Sequence, residues 1–208
     1  MNIDRPQVIV LAGPNGAGKS TAAPRLLRDS FAVEEFVNAD ALAQGLSAFA
    51  PEKVAVKAGR IMLKRLCELA EKRIRFAFET TLAARSFAPW LEDLMADGYK
   101  SHLIFLALPN AGMAVERVSQ RVRQGGHDIP KAVIKRRFEA GLKNFFQLYR
   151  PVVSSWLFND NSPPAHPLLV AEGIKKTGLK VHAPLIYESF LRKSGDARQE
   201  KCGHRSPD

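Results

Sequence analysis

Residues 7–21 read Q-V-I-V-L-A-G-P-N-G-A-G-K-S-T, an apolar run that breaks into a glycine-rich loop and closes on Lys-Ser-Thr. Gln7 to Ala12 carries no alternation of polar and apolar residues, the pattern of a parallel strand buried on both faces. Gly13 to Ser20 fits G-x-x-x-x-G-K-[ST], in which successive backbone N–H groups converge on phosphate oxygens and glycines allow the close approach. The main chain of Gly13, Pro14, Asn15, Gly16, Ala17 and Gly18 would form the cradle. Lys19 would reach the terminal phosphates, Ser20 would ligate Mg2+, and Thr21 would enter the helix that follows. These residues predict a nucleotide-binding fold.

The rest of the chain alternates strands with helices. Lys19 to Leu27 reads as a helix in which Pro24 removes a backbone donor and predicts a kink one turn in or a delayed regular start. Phe36-Val37 reads as a short strand before Asn38-Ala39-Asp40. Lys53 to Lys72 places Val56, Ile61, Leu63 and Leu66 at amphipathic spacings. Arg75 to Phe78 reads as a strand leading into Glu79-Thr80-Thr81, Phe87 to Met95 as a helix, and Ser101 to Leu108 as a strand. Val115 to Val122 and Ala132 to Phe146 read as helices joined by R-Q-G-G-H-D-I-P, whose glycines predict a hinge and a lid over about 117–137. Ser155 to Asn159 and Pro167 to Ala171 read as a late strand pair, and Ile186 to Leu191 as a last helix. Such alternation predicts an α/β P-loop three-layer sandwich with a mostly parallel central sheet. One domain over 1–192 is expected, with a disordered tail from 193 to 208.

Several P-loop classes are excluded. The chain lacks the Ser-Gly-Gly-rich signature and the Asp-Glu strand end of transporter ATPases. The strand from Ser101 ends in L-P-N-A-G-M and not in the Asn-Lys-x-Asp loop that selects guanine, so ATP is expected in preference to GTP. A kinase remains. Ligands of open α/β sheets bind beyond the carboxyl ends of the strands, where Asp40 and Glu79 stand. A carboxylate there could take the proton of an attacking hydroxyl. Asp40 is the expected base, and a helix cap is its structural alternative. Glu79 is expected to orient substrate or hydrated Mg2+. Thr80 and Thr81 could either bond substrate or cap a helix. Arg117 to Arg137 holds seven basic residues against one acid, an expected anion site. Within it Arg123 and Arg136 flank the hinge, and Arg117 and Arg121 lie one turn apart. His127 reads as an exposed hinge residue, and Ile134, Phe138, Leu142 and Phe145 read as core.

The 31 Lys+Arg against 21 Asp+Glu give a formal charge of +10. That suits a phosphorylated small-molecule substrate as well as nucleic acid. Apolar runs are too short to cross a bilayer, and no export segment follows the N-terminus, so no membrane partner and a cytoplasmic location are expected. Cys67 and Cys202 have no metal-binding or disulfide spacing.

Taken together, G-P-N-G-A-G-K-S-T, F-V-N-A-D, F-A-F-E-T-T-L, R-V-R-Q-G-G-H-D-I-P with R-R-F, and F-N-D-N-S resemble, in order over about 7–172, the zeta toxin family. The resemblance implies a kinase that uses ATP with Mg2+ to phosphorylate the sugar 3′-hydroxyl of UDP-N-acetylglucosamine, and a small helical antitoxin that blocks the nucleotide site. It implies Asp40 as base, Glu79 as the substrate-orienting glutamate and Arg123 with Arg136 as the phosphate-contacting pair. The turn Asp160-Asn161-Ser162 recurs in the family without an assigned role here. This chain has little sequence after Gly173 and carries Asn-Ala ahead of Asp40, so phosphoryl transfer carries over more directly than the sugar nucleotide. Two other readings stay open: a kinase of another metabolite or of nucleic-acid ends, and an ATP-operated binding switch without catalysis.

Overall fold

In the computed structural model, which describes residues 5–29, 31–126, 128–163, 166–175 and 178–196, Gln7–Ala12 forms β1. Its side chains divide between two cores. Val8, Val10 and Ala12 point into one apolar cluster, and Ile9 and Leu11 into the other. A strand buried on both faces has no polar position to spare, which is why this run does not alternate.

Around β1 the chain lays down β2 (Glu35–Val37), β3 (Phe76–Thr80), β4 (Lys100–Ala107), β5 (Ser155–Asp160), β6 (Leu168–Ile174) and β7 (Gly178–Val181), in the order β2-β3-β1-β4-β5-β6-β7. The first five of these in space run parallel, and β6 and β7 are antiparallel additions at one edge. The late strand pair expected from sequence is therefore β5, inside the parallel set, with β6 outside it. The strand β7, only four residues long, carried no sequence signal. Because β1 has β3 on one side and β4 on the other, the chain leaves it at the point where strand order reverses, the place where such sheets open a crevice.

Helices cover both faces. One face takes α3 (Ala55–Glu71), α4 (Phe87–Ala96) and α7 (Pro184–Ser194). The other takes α1 (Lys19–Ala23), α5 (Ala111–Arg123) and the first half of α6 (Lys131–Asn144). The short α2 (Ala39–Leu46) follows β2. The apolar series on α6 is buried as expected, but it divides. Ile134 and Phe138 join one cluster, while Leu142 and Phe145 join the other, where Phe145 meets Phe105 and Phe158.

Several expectations change. Pro24 does not kink an α-helix but ends it: α1 stops at Ala23 and a wider π-helical turn runs from Pro24 to Asp29, because proline supplies no N–H for the regular bond. On α3 the buried residues are Ala58, Met62, Leu66 and Leu69, whereas Val56, Ile61 and Leu63 are exposed. At the C-terminus α7 continues through Ser194, and buried Asp196 pairs with Arg150 at 3.7 Å, so the start of the expected disordered tail is ordered. The rest of that tail, from 197 on, and His127 lie outside the described residues. Among the described residues no helix is long and apolar enough to cross a membrane.

Candidate active site

The loop after β1 is built by contacts that only glycine allows. At Gly13, φ is +143° and a Cβ would lie 2.2 Å from the Leu106 carbonyl oxygen. At Gly18, φ is +78° and a Cβ would lie 2.9 Å from the Asn161 amide nitrogen. Gly18 is also the cap of α1 and offers no side chain to the first-turn amides.

Lys19 is buried, 6% exposed, with Nζ donating to the Pro14 carbonyl at 3.0 Å and lying 3.5 Å from Glu79 Oε1. Burial lowers its pKa, the charges of Glu79 and Asp40 oppose that shift, and Arg121 adds to it. Four groups from four segments are thus near one another. Glu79 is the hub. Its Oε2 accepts from Ser20 Oγ at 2.9 Å and from Asn38 Nδ2 at 2.8 Å, while Oε1 faces the lysine.

Asn38 rather than Asp40 caps α2: its Oδ1 accepts from the backbone N–H of Asp40 at 2.8 Å and of Ala41 at 3.2 Å. The helix starts at Ala39, so Asp40 sits in its first turn, exposed, with its carboxylate not engaged in the cap. Thr80 and Thr81 do not cap a helix either. Their hydroxyls accept from Leu82 N at 3.1 Å and Ala83 N at 3.4 Å, shaping a turn in which buried Leu82 is held at φ +57°.

That turn is strapped from α6. Asn144 Nδ2 donates to the Leu82 and Ala83 carbonyls at 2.7 and 3.3 Å, Gly141 lets the helix close on the Thr81 carbonyl, and Tyr149 Oη donates to Ala84 O at 2.5 Å. Burial pushes the Tyr149 phenol up to about 12, keeping it a donor.

These elements enclose a cleft of about 360 Å³, within the range of small-molecule sites. Asn15, Lys19, Asp40, Glu79, Thr80 and Thr81 line it on the phosphate-loop side; Met62, Leu63 and Phe87 supply an apolar wall, and Arg137 a cation. Arg121 lines a smaller hollow of about 90 Å³ that also touches Asp40. Arg123 and Arg136 are exposed and line neither space. The arginine brought to the cleft is therefore Arg137, the neighbour of Arg136, a matter of helix phase.

Arg117 has a different task. Its guanidinium donates to the Asn161 and Ser162 carbonyls at 2.8 and 3.1 Å, and Asp160 Oδ1 accepts from Ser162 N at 2.8 Å. From the turn so fixed, Asn161 Nδ2 donates to the Ala17 carbonyl at 2.6 Å. The turn after β5 is a brace for the phosphate loop. Sequence reasoning marked the turn but could not assign it, since the two ends of that bond are 144 residues apart.

A family model described as Zeta toxin matches residues 2–154. An uncharacterized protein of Haemophilus influenzae is 27% identical over 134 residues, 64% of this chain and 92% of that one. Among solved structures, the AvrRxo1-ORF1:-ORF2 complex with ATP aligns with a TM-score of 0.72 and 17% identity over 89% of this chain. The alignment spans only 63% of that relative, less than two thirds of its length. The PezAT chromosomal toxin-antitoxin system of Streptococcus pneumoniae aligns with a TM-score of 0.64 and 15% identity, over 92% of this chain and 80% of that one. At such identities the structures show a shared fold.

Proposed function

The chain belongs to the zeta toxin family, and on that premise we propose that it is an ATP- and Mg2+-dependent phosphotransferase acting on a hydroxyl of a small acceptor. The observation that carries the reading is the shared cleft: the phosphate-loop lysine and the carboxylates of Asp40 and Glu79 line one space open to a second substrate.

The residues present fit both co-substrate and ion. The main chain of Gly13 to Gly18 and the side chain of Lys19 would hold the phosphates of ATP, with Thr21 in the first turn of α1 behind them. Ser20 Oγ and the Glu79 carboxylate, 2.9 Å apart, are hard oxygen donors suited to Mg2+. Bound there, Mg2+ would neutralise charge on the β- and γ-phosphates.

Asp40 accepts the proton as the acceptor oxygen bonds to the γ-phosphorus and the bond to the β–γ bridging oxygen breaks, releasing ADP. Its freedom from the cap suits it to that role. Glu79 holds Lys19, Ser20 and Asn38 in fixed relation, and Thr80 and Thr81 shape the acceptor wall. Arg137 stands at the cleft and Arg121 at the smaller hollow beside Asp40, and Arg123 and Arg136 would join them when the α5–α6 hairpin closes. The first acceptor to test is the sugar of UDP-N-acetylglucosamine, and a small helical antitoxin is the partner to seek, given that the PezAT relative is a toxin-antitoxin system. Such a reaction belongs in the cytoplasm.

Labelled phosphate transfer from ATP with Mg2+ to UDP-sugars, other polyols and oligonucleotides tests this, with Asp40→Ala and Lys19→Ala as controls. Transfer to a UDP-amino sugar, abolished in both variants, is the expected result. Labelling of oligonucleotides alone would replace the acceptor, and tight ATP binding with no labelled product would replace the enzyme with a switch.

A further inference from the structure

Asn15 sits in the middle of the phosphate loop, yet its side-chain oxygen accepts no hydrogen bond from the loop. The residue is 6% exposed, and its Oδ1 is the one buried side-chain atom among the described residues without a hydrogen-bond partner. A buried oxygen without a donor is a standing cost that alanine would remove, and the cradle itself uses only main-chain amides. The same residue lines the cleft beside Lys19, Asp40 and Glu79.

An amide oxygen accepts and never donates, so what it lacks is a donor. Phosphate oxygens bring acceptors only and cannot fill the gap. The proton of the attacking hydroxyl is directed to Asp40 in the kinase reading, on which this inference rests. Among the groups that would enter this cleft in that reading, a second polar group on the acceptor molecule is the donor best placed beside Lys19, Asp40 and Glu79. We propose that Asn15 is a specificity-determining residue of the acceptor site, its side-chain carbonyl accepting a hydrogen bond from an O–H or N–H adjacent to the attacking hydroxyl. The acceptor is then a vicinal diol or amido-alcohol, with a ring face able to lie on Met62, Leu63 and Phe87.

The experiment compares the full chain with Asn15→Ala and Asn15→Ser. Affinity for a non-hydrolysable ATP analogue is measured by calorimetry. Transfer is measured to UDP-N-acetylglucosamine, its 4-deoxy analogue and UDP-2-deoxyglucose. We expect ATP-analogue affinity within twofold of wild type in both variants, a drop of about tenfold in kcat/KM toward UDP-N-acetylglucosamine for Asn15→Ala, and a smaller drop for Asn15→Ser, which keeps an accepting oxygen. Toward one of the two analogues, wild type and Asn15→Ala should be equal, because the bonded donor is gone from both comparisons. Equal losses toward all three acceptors, no loss at all, or a parallel fall in nucleotide affinity would overturn the assignment. If wild type labels a different polyol, the same comparison runs on that polyol and its deoxy analogues, so the choice of sugar nucleotide can fail while Asn15 is still tested. If wild type labels no hydroxyl compound, the kinase reading falls and this inference with it.

Discussion

Replacing Asn161 with alanine removes one hydrogen bond, but it removes the one that ties the turn after β5 to the phosphate loop. The Ala17 carbonyl loses its 2.6 Å donor in a place where Ala17 is 0% exposed. A buried acceptor left without a partner costs about 1–3 kcal/mol. The turn itself survives, because Arg117 holds the main-chain carbonyls of Asn161 and Ser162, which the substitution leaves in place. Some water can follow into the space beside Gly18, so the lower half of that range, about 1.5 kcal/mol, is the expected loss. For a chain of this size that lowers Tm by about 3–6 °C. The functional effect should be comparable: loop amides that are no longer pre-set must be ordered by the nucleotide, weakening ATP-analogue binding by about tenfold. Scanning calorimetry and titration calorimetry measure the two. Arg117→Met should lower both as well, and the double variant should lose less than the sum, since both act on the loop through the same turn. A variant at Asn161 with wild-type ATP affinity and a melting point within a degree of wild type would refute the brace.

Other substitutions probe separate parts of the site. Gly141→Ala would set a methyl 2.3 Å from the Thr81 carbonyl oxygen, a backbone atom that cannot swing aside; a loss of about 1–3 kcal/mol and a raised acceptor KM at unchanged ATP affinity are expected from denaturation and steady-state kinetics. Lys19→Met should abolish transfer yet raise the stability of the nucleotide-free protein in urea titrations at pH 7, because burial disfavours the ammonium and Glu79 retains Ser20 and Asn38; a destabilised variant would show that the bonds of Lys19 to Glu79 and to the Pro14 carbonyl outweigh burial. His102, hydrogen-bonded to Ser155 at 2.7 Å, has its pKa lowered by burial and then by Lys100. Its contribution is complete above the unfolded value of 6.5 and is lost as pH falls through the depressed folded value, so His102→Gln should flatten the acid limb of a Tm-against-pH curve below about pH 6.5.

The parts of this site that were legible in the sequence are those in which one short segment makes its own geometry. The phosphate loop is such a segment: strand, glycines, lysine and hydroxyl are contiguous, and no distant contact is needed to recognise them. The doubly buried β1 was legible for the same reason. Asp40 and Glu79 were legible as strand-end carboxylates, but the residue that caps α2 was not. Asn38, two residues before Asp40, competes for the cap and wins it, because its Oδ1 reaches two amides. On α3 the larger apolar residues misled: Val56, Ile61 and Leu63 lie off the 58, 62, 66, 69 row that a helix buries, and the row includes an alanine that hydrophobicity undervalues. Arg136 and Arg137 are adjacent in sequence and about 100° apart around α6, so choosing between them needs the helix phase, which the sheet and the turn after β3 fix. The Asn161–Ala17 bond had no local signature at all.

Those long-range contacts also bound what a lid can be. The proposed mobile segment runs from about 117 to 137, and both of its ends are tied down. Arg117 is fixed to the turn at Asn161 and Ser162, while one turn beyond Arg137 the helix is held on the acceptor turn through Gly141 and Asn144. Arg137, Gly141 and Asn144 lie on one face of α6, at i, i+4 and i+7, so the cation at the cleft and the strap on its wall move as a unit. Closure would therefore have to bend between 118 and 136, the stretch that carries Arg121, Arg123 and Arg136. A crosslink across that hairpin should arrest transfer while leaving the acceptor wall intact, whereas a loosened strap at Asn144 should spoil the acceptor wall while leaving nucleotide binding intact. The two lesions separate because the brace at Arg117 serves the phosphate loop and the strap at Asn144 serves the acceptor turn.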